Sequence, residues 1–255
     1  MPYTHHEFIS ETTAVGLPRP SKIIGIHLNY PSRIAEFGLD LSTVPVPSYF
    51  LKPLSALSVD GAPIVCERGC TLLNYEGEVA LVIGRQARRV PEGEALEHVA
   101  GYAPANDFSV HDYRHADRGS MLRVKGQDGF CPMGRIADAR GLDPTNLTVR
   151  TYVDRALVQE GNTSELVFPF AYLIADLSRH ITLEPGDVVL TGTPANSRPV
   201  PIGSTVSVEV EGIGSVTNRV TQADYDLAPV GAQADAESPS ARDVAYARSL
   251  LRELR

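Results

Sequence analysis

The sequence predicts a β-rich α+β fold. Many short apolar runs of strand length are separated by Gly/Pro turns, and only a few stretches carry helical spacing. The strand-like runs do not alternate regularly with helices. That disfavours repeated βαβ units and leads us to expect mainly antiparallel pairing. No internal repeat is present.

Residues 1–20 carry Thr, Pro and Gly without periodicity and read as an N-terminal arm. Ile23–Leu28 is a short strand. Tyr30–Leu41 contains Pro31, Gly38 and several charges, which suits a short helix and loop acting as a lid. Tyr49–Lys52 and Cys70–Gly84 read as strands separated by Gly61-Ala-Pro63 turn chemistry. Pro91–Val99 opens a helix whose first-turn acids complement the helix dipole. Residues 98–106 are a strand, and Val110–Gly119 is helical before a loop.

Leu147–Val158 is strand-rich, with a hairpin turn at Asp154–Arg155. Across Ser164–His180, Val167, Phe170, Leu173, Ile174 and Leu177 recur at spacings of three and four and mark the core face of a helix. Turns at Glu184–Asp187 and Pro201–Ser204 lead into strands Val188–Thr191 and Thr205–Glu211. From Asp226 the composition shifts to Ala, Pro, Ser and Asp, as in a linker. Residues 241–255 form an amphipathic helix with Val244, Ala247, Leu250, Leu251 and Leu254 along one side. The expected division is an arm (1–20), a main domain (21–225), and a linker with a C-terminal helix (226–255).

Tyr75-Glu-Gly-Glu-Val-Ala-Leu-Val-Ile-Gly84 carries the strongest chemical signal. Strand alternation puts Glu76 and Glu78 on one face, at the mouth of the apolar run Val79–Ile83. Two carboxylates there repel each other and lose hydration, so they call for a cation, a proton or a basic partner. Oxygen-only ligands suit a hard divalent ion such as Mg²⁺, which keeps positions open for water and substrate. The competing reading is an exposed strand end with two solvated glutamates. A third acid, Asp107, follows the small-residue stretch Gly101, Ala103, Pro104, Ala105. Lys125, Lys52 and the Leu190-Thr-Gly-Thr-Pro194 turn add lysines and hydroxyls at strand ends. Together these are the ingredients of a metal site that grips a carboxylate-bearing substrate.

At 255 residues the chain is long enough for one large domain, and 43% hydrophobic with 21% charged residues is ordinary for a soluble protein. A net charge of −8 argues against non-specific nucleic-acid binding. Positive charge must therefore be focused locally, with Arg33, Lys52, Arg114, Arg118, Arg123 and Lys125 as candidates. No apolar run is long enough to span a bilayer, and Met1–Phe8 lacks a signal-peptide core, so a cytoplasmic location away from membranes is expected. Three cysteines, with no second pair for Cys66-x₃-Cys70, read as structural thiols.

Three other motifs carry weaker signals. Gly212-Ile-Gly214 lacks the third glycine of a dinucleotide loop, since position 217 is threonine. Ser109 and Ser120 have histidines nearby but no nucleophile elbow. Asp107, His111 and His115 share a spacing of four that could bind zinc or iron on a helix, yet that leaves Glu76 and Glu78 unused.

Taken in order, Pro18–Tyr30, Tyr49–Pro53, Tyr75–Gly84, Ala105–Asp112, Arg123–Pro132, Leu190–Pro194 and Pro201–Val220 resemble the fumarylacetoacetate hydrolase family. The resemblance implies a mixed β-sandwich roll with a few peripheral helices. It assigns Glu76, Glu78 and Asp107 to Mg²⁺ or Mn²⁺, which would act as Lewis acid on the oxygen and carboxylate of a 2-oxo acid. It gives Lys125 the negative charge developing on the substrate oxygen, gives Thr193 the substrate carboxylate, and places Lys52 near the site.

The departures narrow this further. Hydrolytic members carry a lid histidine where this chain has Arg33, while Glu36 is retained. Arginine stays protonated and cannot act as general base, so water activation for carbon–carbon hydrolysis is disfavoured. A basic family contact after the metal aspartate becomes His111. His27–Arg33, Ser48–Pro53 and Tyr113–Ser120 are similar to the decarboxylase and isomerase branch of homoprotocatechuate (4-hydroxyphenylacetate) degradation. That branch decarboxylates 5-oxopent-3-ene-1,2,5-tricarboxylate or isomerises 2-hydroxyhepta-2,4-diene-1,7-dioate, and neither reaction needs activated water.

Arg33 then clamps a carboxylate through its planar fork, Arg114 is a further substrate contact, and Glu36 passes a proton to carbon. The expected function is thus a divalent-metal-dependent decarboxylase or enol–keto isomerase of a 2-oxo di- or tricarboxylic acid, assembled as a homodimer or higher oligomer. The alternatives are an acylpyruvate-type hydrolase and a non-catalytic small-molecule-binding homologue.

Overall fold

The large sheet has eight strands. They are β1 (Ile23–Ile26), β2 (Tyr49–Lys52), β3 (Leu57–Val59), β6 (Gly77–Ile83), β7 (Val99–Asn106), β9 (Cys131–Met133), β10 (Ala137–Asp138) and β13 (Val188–Leu190). Their order is β2-β1-β13-β6-β7-β9-β3, with β10 on β7. A five-stranded sheet, in the order β12-β11-β14-β15-β4, is built from β4 (Ile64–Cys66), β11 (Thr148–Val153), β12 (Ala156–Asn162), β14 (Thr205–Val210) and β15 (Gly214–Gln222). A ribbon of β5 (Leu73–Asn74) and β8 (Ser109–Val110) completes the strands. The computed structural model describes residues 17–248 except Arg118, so most of the expected arm lies outside the described residues.

The fold is the β-rich α+β fold expected, with one difference in pairing. Most neighbours are antiparallel, but β1/β13, β3/β9 and β4/β15 run parallel. Each parallel pair joins strands far apart in sequence, as crossover geometry requires, and short-range patterning carries no signal of it.

Strand β6 is buried on both faces. Val79, Leu81 and Ile83 point into the core between the sheets with Val149, Val208 and Val216. Ala80 and Val82 join Ala103, Ala105, Val188 and Leu190 on the other side. The sheets approach so closely at Gly77 that an added Cβ would lie 2.0 Å from Thr151 Oγ1, which is why the residue between the two glutamates has no side chain.

The core helix spans Phe170–His180 and buries Phe170, Leu173, Ile174 and Leu177. Each such side chain stabilises by about 2 kcal/mol relative to exposure. It begins later than Ser164 because Asn162 and Glu165 form a capping box on a separate 3₁₀ turn, Thr163–Glu165. Pro169 then forces the preceding residue out of helical geometry, and the Val167 N–H donates to Asn29 O instead.

Other boundaries shift for local reasons. The expected strand Cys70–Gly84 is broken between β5 and β6, where Asn106 Oδ1 accepts the Glu76 N–H at 2.8 Å. Glu92–His98 is 3₁₀ rather than α-helical, with Gly93 inside it. Val110–Gly119 resolves into a 3₁₀ turn (His111–Tyr113) and one α-turn (Arg114–Asp117). The hairpin at Asp154–Arg155 forms as expected, with φ of 48° and 72° and Asp154 Oδ1 accepting the Thr205 N–H. The C-terminal helix is Pro239–Ala245, and Leu250, Leu251 and Leu254 lie outside the described residues. Among the described residues no helix is long and apolar enough to cross a membrane.

Candidate active site

Strand register brings the acids together. Gly77 pairs with Asn106 and Glu78 with Ala105, so Asp107 falls opposite Glu76, and its N–H donates to Glu76 O at 2.9 Å. Carboxylate oxygens of Glu76, Glu78 and Asp107 lie within 4.8 Å of one another, and all three residues are buried. Glu78 Oε2 accepts the Gly192 N–H at 2.8 Å. Gly192 has φ +98°, and a Cβ there would meet Asn29 Cβ at 2.8 Å, so this donor position requires glycine.

Two lysines enter the same cluster. Lys125 Nζ donates to Asp107 Oδ2 at 2.6 Å and to Glu76 Oε2. Lys52 Nζ donates to Asp107 Oδ1 and, at 2.9 Å, to Phe130 O. Burial pushes the Glu78 carboxyl well above the usual carboxylate range, reinforced by the Asp107 and Glu76 charges. Burial also pushes Asp107 upward, but the Lys125 and Lys52 ammoniums outweigh it and hold the group below its ordinary value. Burial opposes the Lys125 charge, yet Asp107 and Glu76 keep its affinity for the proton raised.

Three converging buried carboxylates, all oxygen donors, fit a hard divalent cation. The histidine-based set does not assemble. Among the described residues no metal-holding group includes His111 or His115, and His111 Nε2 turns instead to Ser109 Oγ at 3.2 Å. That serine–histidine contact lacks an orienting acid, because His111 Nδ1 is buried without a hydrogen-bond partner. Burial keeps His111 neutral, helped by Arg114 and Lys125, and His27 is pushed down to about 4 by burial and by Lys125.

The lid helix is Pro31–Glu36. Asn29 pins its entry: Nδ2 donates to Phe168 O and Thr191 O, and Oδ1 accepts the Phe168 N–H. Arg33 is 3% exposed, lies over the Phe37 ring at 4.5 Å, donates to Glu36 at 2.7 Å and comes within 3.9 Å of Glu76. Both Glu36 oxygens are engaged, one by Arg33 and the other by Arg198 and the Asn196 N–H. Delivering a proton from Glu36 to carbon therefore requires one of these contacts to open.

A cavity of about 670 Å³ lies between the acids and the lid. Glu76, Lys125, Arg33, His111, Arg114 and Thr193 all line it. Glu78, Asp107 and Lys52 stand behind that lining, and Glu36 turns to Arg198 at the lid edge. Of the other cations weighed from sequence, Arg123 is half exposed and paired with Asp117, and Arg118 is outside the described residues.

The comparisons fit this architecture. A family model described as fumarylacetoacetate (FAA) hydrolase C-terminal matches residues 22–221. The chain belongs to the fumarylacetoacetate hydrolase family. An Escherichia coli 4-hydroxyphenylacetate degradation bifunctional isomerase/decarboxylase is 40% identical over 207 residues, which cover 80% of this chain and 48% of that protein. The chain thus spans about half the length of that relative. The crystal structure of 5-carboxymethyl-2-hydroxymuconate delta-isomerase from Mycobacterium smegmatis has a TM-score of 0.73 at 39% identity, over 81% of this chain and 80% of that one. Maleylpyruvate hydrolase from Sphingobium sp. SYK-6, in complex with manganese(II) and pyruvate, has a TM-score of 0.69 at 33% identity, over 81% and 72%.

Within this family frame, one polar residue escaped the sequence reading. Gln159, 1% exposed, accepts the Gly77 N–H at 3.1 Å and donates to Thr193 Oγ1 at 3.0 Å and Pro194 O at 2.9 Å. It clips the glutamate strand to the threonine turn and leaves the Thr193 hydroxyl proton free to donate into the cavity. Its only sequence signal is an amide that follows the apolar run Ala156–Val158 in a strand. Arg198 likewise carries no motif of its own.

Proposed function

We propose that this protein is a divalent-metal-dependent decarboxylase or enol–keto isomerase of a 2-oxo (2-hydroxy-dienoic) di- or tricarboxylic acid, as in homoprotocatechuate catabolism. The observation that carries the reading is a buried Glu76/Glu78/Asp107 cluster facing, across one cavity, a lid whose inward cation is Arg33. The similarity to an isomerase/decarboxylase and to an isomerase structure supports the same reaction class. Residues 21–225 are proposed as the catalytic unit, acting within a homodimer or higher oligomer.

Glu76, Glu78 and Asp107 would hold Mg²⁺ or Mn²⁺, which when bound supplies positive charge to polarise the substrate oxygen. Lys125, itself buried, places its ammonium where negative charge grows as CO₂ or a proton leaves. Thr193 donates to the carboxylate next to the oxo group. Arg33 and Arg114 hold the distal carboxylates, Arg33 with its rigid fork. His111, kept neutral, forms part of the wall against the substrate, Lys52 fixes Asp107 from behind, and Glu36 passes a proton to carbon once released from its arginine partners.

An ultraviolet assay tests this, run with Mg²⁺ in parallel on a 2-hydroxy-diene-dioate and on acetylpyruvate. Ketonisation or CO₂ release without acetylpyruvate cleavage is expected. Cleavage of acetylpyruvate would mean water is activated without a lid histidine, and the hydrolase reading would replace this one.

A further inference from the structure

The family match ends at residue 221, yet the cavity is not closed by matched residues alone. Ser240 and Val244, on the C-terminal helix Pro239–Ala245, line it together with Arg33, Phe37 and Lys125. This helix holds two parts of the molecule at once. Ala241 and Ala245 pack on Leu72 of the body, and Asn74 Nδ2 donates to Ala245 O at 2.9 Å. Upstream, the Asp235 N–H donates to Asp112 O at 2.9 Å. On its other side Val244 and Ala247 form a buried cluster with Phe37, just after the lid helix, flanked by Leu28 and Leu39. Phe37 in turn lies beneath the Arg33 guanidinium.

The geometry points to residues 235–248 as a strap that supplies one wall of the reaction cavity, with Ser240 and Val244 as specificity-determining residues for the length of the bound oxo acid. The strap also positions the lid, because Val244 supports the ring on which Arg33 rests. A clamp of fixed position and a wall of fixed position together define the span available between the acids and the distal carboxylate. A side chain that moves the wall by one or two carbons changes which chain length fits, and one methylene in a closed pocket is worth roughly tenfold or more in discrimination. Val244 is 5% exposed and Ser240 is half-buried, so substitution at either alters the cavity itself rather than the outer surface.

This inference rests on the proposed function only in taking the cavity to be the oxo-acid site. The test uses full-length protein loaded with Mn²⁺. Dissociation constants for 2-oxoglutarate, 2-oxoadipate and 2-oxopimelate are measured by calorimetry on the native chain and on Val244→Ala, Val244→Phe and Ser240→Phe. Mn²⁺ affinity is read in parallel by electron paramagnetic resonance. Val244→Ala is expected to shift the preference toward the longer acids, and the two phenylalanine variants toward the shorter, by roughly tenfold per methylene, with Mn²⁺ affinity nearly unchanged. A length preference that stays the same in all variants overturns the strap. So does an equal loss of every acid in every variant, which is what a merely structural role produces. Native protein that binds Mn²⁺ but none of the acids removes the proposed function as well, so the two failures are distinguishable.

Discussion

The two ends of the cavity are held by different kinds of structure. At the acid end, Glu76, Glu78 and Asp107 sit on or beside adjacent central strands, and all three carboxylates are tied by ammonium or backbone amide. At the mouth, Arg33 sits on a helix of only six residues, held by its ion pair with Glu36 and by packing on Phe37, which the C-terminal strap supports. The acid end cannot move without breaking the large sheet. The mouth can be altered one side chain at a time. The acid end is thus held by the register of the sheet, whereas the mouth is held by side-chain contacts among the lid, Phe37 and the C-terminal helix.

Lys125→Met strikes the acid end and has the largest expected effect. Turnover should fall about a hundred- to a thousandfold with loss of the charge facing the reacting oxygen. Mn²⁺ affinity should rise, because Lys125 competes with a cation for Glu76 and Asp107. Calorimetric titration of the metal decides the second point. A weaker Mn²⁺ affinity would show that the ammonium organises the acids rather than competing for them.

His27 sharpens the comparison through pH. Its imidazole is pushed from 6.5 in the unfolded chain to about 4 in the folded one, by burial first and then by Lys125 and Arg114. Between those values the unfolded chain binds a proton that the native protein does not, so stability is lost as pH falls from 6.5 toward 4. The loss attributable to this group is up to about 3 kcal/mol. Urea unfolding of the metal-free protein across that range should show the decline, and His27→Gln should flatten it. Identical pH profiles for the two proteins would contradict the assignment.

The smallest effect is expected for Gln159→Ala, which cuts the clip between the glutamate strand and the threonine turn. It orphans the buried Gly77 N–H and frees Thr193, at a cost of about 1–3 kcal/mol in stability. KM should rise more than kcat falls, since Gln159 positions a binding residue and touches no reacting atom. If kcat alone dropped, Gln159 would belong to the chemistry instead.

The acid end was legible in the sequence because strand alternation and one antiparallel hairpin are local rules. Glu76 and Glu78 follow from period two, and Asp107 lands opposite Glu76 once β6 and β7 pair. The mouth was only half legible. Arg33 stood out against the family pattern, but nothing near Gln159, Arg198 or Val244 in sequence says that they meet the lid or the threonine turn, since those contacts span many tens of residues. The same limit hid the three parallel pairings. The core helix was found by its period, and its start was misplaced because Pro169 and the Asn162 capping box override the apolar spacing of Val167.

The strap also places the cavity in time. Its other lining residues, from His27 to Thr193, all precede Ser240 and Val244 in the chain. During synthesis, at about 5–20 residues per second, the acids, lysines and lid have all left the ribosome a few seconds before the wall that closes them in. The last wall of the cavity is therefore synthesised after every other residue that lines it.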